Sequence, residues 1–430
     1  MTESATNSGA ATLWPAPVAS RPVDSVVELP GSKSITNRAL PIAALASAPS
    51  TIRGALRSRD TDLMAAGLRA LGVGVNDSGA DWVVTPAALQ GPADVDCGLA
   101  GTVMRFLLAT SALADGPVHF DGDPHARNRP MRPLIDGLRQ LGVVIDDAGR
   151  GALPLTVEGS GRIPGGKCEL DSSTSSQFVS AILLAAPRAD ADVVVSHVGG
   201  ALPSLPHIEM TVAMLRERGV TVDDATPATW RVTPGPVSGG DVDIEPDLSN
   251  AAPFAAAALA TGGVVRIPRW PKFTTQPGAA LPALLAEMGA TCTLDDSGLT
   301  VHGGGSIHGI DADLRDTSEL VPTLAALAAL ADSPSRLRGI GHMRGHETDR
   351  LAALATELGG LGGDVTEEPD ALVIRPKPLR AGTFHTYDDH RLATSAAVLG
   401  LVVPGVLVEN IATTAKTMPG FVDLWGALLT

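Results

Sequence analysis

The hydrophobic pattern of the chain repeats about every 70 residues. In each of five segments an amphipathic helix ends at a glycine, and a short apolar strand follows. Glycine just beyond a helix can adopt the left-handed backbone conformation that ends many helices, which explains the residue type. A sixth helix, at about 421–429, ends the chain, so we predict six units. The glycines are Gly72, Gly142, Gly219, Gly289 and Gly362, at spacings of 70, 77, 70 and 73 residues.

A second series of segments runs in phase with the first. In each unit a loop of small, hydroxylated or charged residues leads into an apolar helix. Such residues can be ordinary N-caps, but a helix N-terminus also presents free N–H groups and about half a positive charge, which favours anions. Because six starts keep one register, and four carry Lys or Arg, we favour a shared anion site. The markers are Ser32, Gly101, Ser175, Ser249, Ser318 and Asp389.

Strands that alternate with helices in this way predict an α/β fold. A chain of 430 residues is too long for one ordinary core. We therefore predict two globular domains of three units each, with the helix starts converging on a cleft between them.

The charge balance limits the possible partners. The chain has 47 Asp and Glu against 32 Lys and Arg, a formal net charge of −15, which argues against binding to nucleic acid or a membrane surface. Aromatic residues make up only 3%, which disfavours base stacking. Any anion site must therefore be a local concentration of cations and N–H groups. Cys97, Cys168 and Cys292 lie far apart without metal-ligand spacing, so we expect small buried hydrophobes rather than a disulfide or zinc site.

The sequence gives no sign of a targeting signal at its N-terminus or of a membrane span. The N-terminus lacks a basic region followed by an apolar one, and no apolar run approaches the ~18 residues of a membrane span. We expect residues 1 to about 20 to be a loose tail and the protein to be cytoplasmic. No metal or organic cofactor is indicated.

Seven motifs, in order and spacing, resemble the 5-enolpyruvylshikimate-3-phosphate (EPSP) synthase family over residues 20–430. The resemblance implies transfer of the enolpyruvyl group of phosphoenolpyruvate to the 5-hydroxyl of shikimate 3-phosphate, with release of phosphate, by a monomer. It also implies two domains of three βαβαββ units, 1–31 plus 246–430 and 32–245, around a cleft that holds the active site. The motifs are LPGSKSITNR (29–38), GLAGTVMR (98–105), RNRP (127–130), SSQF (175–178), HETDR (346–350), YDDHR (387–391) and TTAKTMP (413–419).

The resemblance also assigns site residues, position by position. Both substrates are polyanions, so most of these residues carry a cation, a hydroxyl or a free N–H group. It implies that phosphoenolpyruvate is bound by Lys33, Gly101, Arg129, Arg350, Arg391 and Lys416. It implies that shikimate 3-phosphate is bound by Lys33, Ser34, Arg38, Ser175, Ser176, Gln177, Ser204, Glu319, His342 and His346.

The resemblance implies that Lys33, Glu319 and Glu347 are catalytic. Transfer needs a base for the attacking hydroxyl and an acid for the methylene carbon of phosphoenolpyruvate. Glu347 matches the family's methylene acid, and Glu319 lies where the family's hydroxyl base sits, although many members have Asp there. We expect Asp349 to cap the helix that follows.

Some positions depart from the family pattern or match it less directly. The family often has Asn and Lys where this chain has His342 and His346. If His346 takes the role of the Lys, its charge near neutral pH depends on its neighbours, so we expect substrate affinity to depend on pH. Further nearby residues, with less direct roles, are Arg105, Arg127 and His390.

Three other functions fit the sequence less well. An enolpyruvyl transferase that acts on UDP-N-acetylglucosamine shares the fold, but has a Lys-Asn pair in its first motif and a reactive Cys on a basic loop. Here Ser34 follows Lys33, and no Cys lies at 110–130. An RNA 3′-phosphate cyclase would need a polyanion track, against the net charge. A non-enzymatic anion-binding module would gain nothing from two carboxylates among bound anions.

Overall fold

The structure is a computed structural model and describes residues 12–430. The strands are β1 (Leu13–Pro15), β2 (Asp24–Val26), β3 (Ser50–Arg53), β4 (Gly74–Asn76), β5 (Trp82–Thr85), β6 (Ala93–Asp96), β7 (Asp115–Asp121), β8 (Val144–Asp146), β9 (Leu155–Ser160), β10 (Gly166–Leu170), β11 (Val193–His197), β12 (Thr221–Asp223), β13 (Thr229–Thr233), β14 (Val242–Asp243), β15 (Val264–Pro268), β16 (Thr291–Asp295), β17 (Gly298–His302), β18 (Asp311–Asp313), β19 (Ser335–Arg338), β20 (Asp364–Glu368), β21 (Ala371–Arg375), β22 (Gly382–Phe384) and β23 (Val406–Glu409).

The α-helices are α1 (Lys33–Ala44), α2 (Arg59–Ala70), α3 (Leu108–Ser111), α4 (Arg132–Gln140), α5 (Gln177–Ala185), α6 (Leu205–Glu217), α7 (Ala252–Thr261), α8 (Leu281–Glu287), α9 (Val321–Ala329), α10 (Arg350–Gly360), α11 (His390–Gly400) and α12 (Phe421–Ala427). A π-helical turn, Val103–Leu107, leads directly into α3. Among residues 12–430, no helix has both the length and the apolar character needed to cross a membrane.

Each unit of the repeat has its own small sheet. In the sheet β6-β7-β9-β8 the first two strands are parallel and the other neighbours antiparallel, and the sheets β10-β11-β13-β12 and β18-β19-β21-β20 have the same order. The five glycines of the repeat each follow a helix and precede a strand, and all have positive φ, between 82° and 105°. The predicted α/β fold, built from repeated helix–glycine–strand segments, is confirmed.

Strands distant in sequence complete three of the units. Strand β14 pairs with β3, and β2 pairs with β15, in each case in parallel. Strand β1 pairs with β23 in the last sheet, so the expectation of a loose tail is wrong for Leu13–Pro15. It is wrong for Ala16 and Ala19 as well, whose N–H groups donate to the carbonyls of Val406 and Leu401, and for residues 1–11 it lies outside the described residues. Backbone hydrogen bonding to β23 orders the segment.

The buried apolar residues form two clusters. One runs from Ile35 to Ile244, and the other combines Ala16–Leu29 with the chain from Leu248 onward. In each cluster the first helices of the three units contact one another, and helices such as α5, α7 and α9 are buried on nearly all sides. Such helices need an apolar surface all round, which explains their Ala- and Leu-rich sequences.

The chain passes between the clusters along two adjacent segments. Gly31 and Pro246 form an antiparallel bridge, and the N–H of Ser32 donates to the carbonyl of Glu245 at 2.8 Å. We propose that the domain boundaries lie here, at 31/32 and 245/246. On this proposal, domain 1 is 1–31 plus 246–430, and domain 2 is 32–245.

Candidate active site

Residues from all six predicted helix starts line one cavity between the two clusters. This confirms the convergence that the repeat predicts. Of the sixteen residues predicted for the site, fifteen line the cavity, and Lys416 contacts one of them, Glu347. The fifteen are Lys33, Ser34, Arg38, Gly101, Arg129, Ser175, Ser176, Gln177, Ser204, Glu319, His342, His346, Glu347, Arg350 and Arg391.

Helix capping explains only some of the polar residues at these starts. Ser32 accepts a hydrogen bond from the N–H of Ile35, and Asp389 accepts one from the N–H of Arg391. Ser176 precedes α5 without making a side-chain cap bond, and the N-cap of α7 is an alanine, Ala251, which has no side chain able to cap. The N-cap residues of α5 and α7 therefore make no side-chain cap bond, and at α5 it is Oγ of the preceding Ser175 that accepts from the first N–H.

Glu347 lies between two cations. Its Oε1 accepts a hydrogen bond from Nζ of Lys416 at 2.6 Å, and its Oε2 accepts one from Nη2 of Arg350 at 3.0 Å. Burial alone would raise the pKa of Glu347, but the charges of Lys416 and Arg350 hold it well below its usual value. The carboxylate is therefore ionised at neutral pH, and it must gain a proton before it can act as an acid.

Arg350 is fixed from several directions. Its Nε and Nη2 donate to the two oxygens of Asp389, at 2.7 and 3.2 Å, and its Nη1 lies 3.1 Å from Nδ1 of His346. Burial alone would lower its pKa, but Asp389 and Glu347 raise that pKa above its usual value. Arg350 is thus a permanent cation with a fixed orientation.

Lys33 brings an ammonium group to the cavity wall itself. Its Nζ lies 3.2 Å from Oδ2 of Asp60, and its backbone N–H donates to Oδ2 of Asp247 at 3.0 Å. Asp60 belongs to α2 in domain 2, whereas Asp247 follows the return crossing into domain 1. Lys33 is therefore held where the two domains meet.

Arg38 is buried and bonded through all three guanidinium nitrogens. Nε donates to Oγ1 of Thr211 at 2.8 Å, Nη1 to the carbonyl of Ser34 at 2.9 Å, and Nη2 to the carbonyl of His207 at 3.0 Å. Burial lowers its pKa to about 9, while Glu319 acts in the opposite direction. Arg38 stays protonated at pH 7 and ties α1 to α6.

Gly101 lies against two guanidinium groups. A Cβ added there would be 2.6 Å from Nη1 of Arg105 and 3.1 Å from both Nη2 of Arg129 and Oε1 of Gln177. Arg105 is buried, and its shortest hydrogen bond, from Nη1 to the carbonyl of Gly101, is 3.3 Å long. The glycine therefore lets two arginines approach the start of the helix.

The hydroxyl groups of domain 2 face the same cavity. Oγ of Ser175 accepts a hydrogen bond from the N–H of Gln177 at 3.3 Å. Ser204 has a positive φ of 53°, and its N–H donates to the carbonyl of Arg315 in domain 1 at 3.1 Å. The next N–H, that of Leu205, donates to Oδ1 of Asp316 at 3.2 Å. The start of α6 is thereby fastened across the cleft.

Glu319 lines the cavity from domain 1 with few partners of its own. Its Oε2 is buried without a hydrogen bond, and its Oε1 lies 3.8 Å from Nε2 of His207. Burial alone would raise its pKa, but His207, His346 and Arg391 lower it to about 2. Glu319 is therefore ionised in the ligand-free protein.

The two histidines that replace the family's Asn and Lys lie side by side, with ring centroids 5.6 Å apart. Burial, together with the charge of Arg350, lowers the pKa of His346 to about 3, and burial also lowers that of His342. Because His346 stays neutral in the ligand-free protein, the expectation that its charge changes near neutral pH is wrong for this state. Nδ1 of His346 faces a donor, Nη1 of Arg350, so the neutral ring carries its hydrogen on Nε2.

The residues that match the family less directly differ in their roles. Arg127 pairs with Asp121 on the surface and does not line the cavity, which is the ordinary salt-bridge role. Asp349 accepts a hydrogen bond from the N–H of Ala352 at 3.1 Å, so its predicted capping role is confirmed. His390 is buried at the start of α11 and lines the cavity. Its pKa is held well below the usual value, first by burial and then by nearby cations.

Several residues of the cavity wall were not predicted. His207 follows Ser204 by three residues, and a histidine beside a predicted ligand is a usable signal. Asp60, Asp247 and Gln276 carry no such signal, because they reach the cavity only through tertiary packing.

Comparison with known proteins agrees with this geometry. A family model described as EPSP synthase (3-phosphoshikimate 1-carboxyvinyltransferase) matches residues 18–425. The 3-phosphoshikimate 1-carboxyvinyltransferase of Kocuria rhizophila is 55% identical over 429 residues, which covers 97% of this chain and 96% of the relative.

Solved structures of the same fold agree. An EPSP synthase from Acinetobacter baumannii superposes with a TM-score of 0.79 at 25% identity, covering 96% of this chain and 97% of its own. The enolpyruvyl transferase NikO from Streptomyces tendae gives a TM-score of 0.75 at 20% identity, with 96% of each chain covered, and at that identity supports the fold alone. With a family match over nearly its whole length and a close relative of the same kind, this chain belongs to the EPSP synthase family.

Proposed function

We propose that the chain transfers the enolpyruvyl group of phosphoenolpyruvate to the 5-hydroxyl of shikimate 3-phosphate. The products are 5-enolpyruvylshikimate 3-phosphate and phosphate, so the reaction serves the synthesis of chorismate and the aromatic amino acids. The observation that carries the proposal is the cavity itself. It joins fixed cations, six helix starts and two ionised carboxylates, Glu319 and Glu347, in one place.

We assign phosphoenolpyruvate to the side of the cavity around Glu347. Arg350 and Lys416 contact this carboxylate directly, and Arg129 is close enough to lower its pKa. Arg391 lines the same cavity, with Nη1 donating to the carbonyl of Ser249 at 2.8 Å. Cations of this density suit a ligand with both a phosphate and a carboxylate. Gly101 leaves room for that ligand beside Arg129, and Lys33 contacts both ligands.

We assign shikimate 3-phosphate to the side formed by the starts of α1, α5 and α6. On this side the cavity presents hydroxyl and guanidinium groups instead of cations paired with Glu347. Such groups can form hydrogen bonds with a phosphate and with ring hydroxyls. Neutral His346 would donate from Nε2 in place of the family's Lys. The residues assigned to this side are Ser34, Arg38, Ser175, Ser176, Gln177, Ser204, Glu319, His342 and His346.

The two carboxylates then account for the proton transfers. The 5-hydroxyl oxygen attacks C2 of phosphoenolpyruvate as its proton leaves toward Glu319, while Glu347 delivers a proton to C3. The tetrahedral intermediate loses phosphate when Glu347 takes a proton back from C3. Because bound phosphate and carboxylate groups add negative charge beside Glu347, they raise its pKa and let it carry the proton it needs.

Phosphate release tests the proposal. We expect phosphate to appear only when the protein is incubated with both phosphoenolpyruvate and shikimate 3-phosphate. Incubation with UDP-N-acetylglucosamine in place of shikimate 3-phosphate serves as the control for the related transferase. The assignment would be contradicted if phosphate were released only when UDP-N-acetylglucosamine is the acceptor, or if no phosphate were released with either acceptor. We further propose that the enzyme works in the cytoplasm as a monomer. Light scattering of the purified protein tests the oligomeric state.

A further inference from the structure

His207 faces the carboxylate of Glu319 from the opposite domain. Nε2 of His207 and Oε1 of Glu319 are 3.8 Å apart, and both side chains line the cavity. His207 lies in the first turn of α6, whose preceding N–H groups donate to Arg315 and Asp316 in domain 1. The pair is thus assembled from two domains, and two hydrogen bonds across the cleft, from the N–H groups of Ser204 and Leu205, hold the start of α6 in place.

We propose that His207 is the proton partner of Glu319, and that the proton of the acceptor hydroxyl ends on Nε2 of His207. The proposal rests on the proposed function. In this step the O–H bond of the 5-hydroxyl breaks and its oxygen forms the bond to C2 of phosphoenolpyruvate. The proton passes by Oε1 of Glu319 to Nε2, where an N–H bond forms, and it is lost to water when the product leaves.

The surroundings of both groups favour this direction of transfer. Glu319 has a pKa of about 2 and holds a proton poorly. Burial lowers the pKa of His207 below 6.5, with opposing influences from Glu319 and Asp247 on one side and from Arg38 and Lys33 on the other. The imidazole is therefore neutral at pH 7.5, and in its Nδ1–H tautomer Nε2 can accept a proton. Once protonated, it forms a neutral pair with the carboxylate instead of leaving a charge unpaired in the cavity.

Within residues 12–430 the side chain of His207 makes no hydrogen bond, and its nearest polar partner is Oε1 of Glu319 at 3.8 Å. The contacts that hold α6 in place use the backbone carbonyl of His207, which accepts from Arg38 and Thr211. A change of side chain leaves that carbonyl intact. Activity can therefore be tested separately from the anchoring of the helix.

The test compares His207→Gln with His207→Leu. Gln keeps a hydrogen-bonding group near the position of Nε2 but cannot take up a proton, and Leu removes both properties. We expect both variants to lose at least 10-fold in kcat, with the KM for phosphoenolpyruvate changed less than 3-fold, as for loss of part of a general base. We also expect the loss to be far smaller in a Glu319→Gln background, because His207 acts on the same proton.

The pH profile gives a second readout. In the parent, kcat should fall as the pH falls through the pKa of His207, because the imidazolium cannot accept a proton, and this fall should be absent in His207→Gln. His119→Gln, at an exposed histidine of domain 2 whose Nδ1 lies 3.3 Å from Oγ1 of Thr156, is the matched control. If the melting temperature shows that His207→Gln is poorly folded, His207→Asn replaces it, with the same expected loss.

Parental kcat in His207→Gln would overturn the proposal, since a hydrogen-bonding role alone would then suffice. Losses that simply add to those of Glu319→Gln would overturn it as well. An inactive parent would instead contradict the proposed function, so the two failures can be told apart.

Discussion

Replacing Glu347 by Gln isolates the carboxylate that we assign to the methylene carbon. The change keeps the size of the side chain but removes the charge between Lys416 and Arg350, which lie 2.6 and 3.0 Å from its oxygens. Gln cannot exchange a proton with C3. We therefore expect kcat to fall by roughly 10²–10⁴-fold, the usual contribution of general acid–base catalysis.

The same substitution should destabilise the ligand-free protein. Removing one partner of a buried ion pair costs about 3–5 kcal/mol, because the remaining charge is left unpaired. Arg350 retains Asp389, so most of the effect falls on Lys416, and we expect the lower end of that range. A phosphate or carboxylate group of bound phosphoenolpyruvate replaces the missing charge. Phosphoenolpyruvate should then raise the melting temperature of the variant more than that of the parent.

The pH dependence of this stability difference has a definite sign. The pKa of Glu347 in the folded protein lies well below its usual value of 4.5. The contribution of the ionised carboxylate is therefore fully present above pH about 4.5 and is lost only as the pH falls toward the lower, folded value. We expect the stability gap between parent and variant to be constant from pH 6 to 8 and to narrow in acid.

Steady-state phosphate release and thermal unfolding, with and without phosphoenolpyruvate, measure these effects. Glu367→Gln is the matched control, because Glu367 also pairs with an arginine, Arg344, but at the surface. We expect that variant to keep parental kcat and a melting temperature close to the parent's. Normal turnover in Glu347→Gln would remove this residue from the proton transfers. A loss explained entirely by a higher KM would make it a binding residue.

Two further predictions concern the same cavity. In Gly101→Ala, the added Cβ would displace the guanidinium groups of Arg105 and Arg129. In steady-state kinetics we therefore expect the KM for phosphoenolpyruvate to rise at least 10-fold and the KM for shikimate 3-phosphate to rise less than 3-fold. Equal changes in the two KM values would mean that the glycine does not border the phosphoenolpyruvate side. The second prediction concerns the KM of the parent for shikimate 3-phosphate between pH 6 and 8.5. Because burial and Arg350 keep His346 neutral, the KM should follow the same pH dependence in the parent and in His346→Gln. A pH-dependent step seen only in the parent would mean that the bound phosphate raises the pKa of the imidazole into this range.

Local sequence signals were sufficient for the repeating part of the fold. A glycine with positive φ and the apolar pattern on either side of it depend only on neighbouring residues, so Gly72 and Gly289 could be placed from sequence. The residues predicted for the cavity came from the family motifs, and only some of them, such as Lys33 and Arg391, lie at helix starts that the repeat also places.

Interactions between distant segments were not accessible in this way. Strand β1 has only three residues, too few to show an alternation of hydrophobic and polar positions. It is ordered by pairing with β23, almost 400 residues later in the chain. The partnership of His207 with Glu319 depends on the approach of two domains. Asp60 shows no feature that separates it from the other acidic residues of an amphipathic helix.

The ion pairs explain how a protein with a net charge of −15 can bind two polyanions. Asp389, fully buried, holds Arg350 by two hydrogen bonds, so this guanidinium forms part of the fixed frame. Lys416 pairs with Glu347, a carboxylate that can be neutralised by a proton. Once Glu347 is protonated, the ammonium group of Lys416, which is on a flexible side chain, can turn toward an incoming phosphate. Binding thus exchanges one anionic partner for another and needs no excess of positive charge. For that reason, the positions of the cations at helix starts predict the site, whereas their number does not.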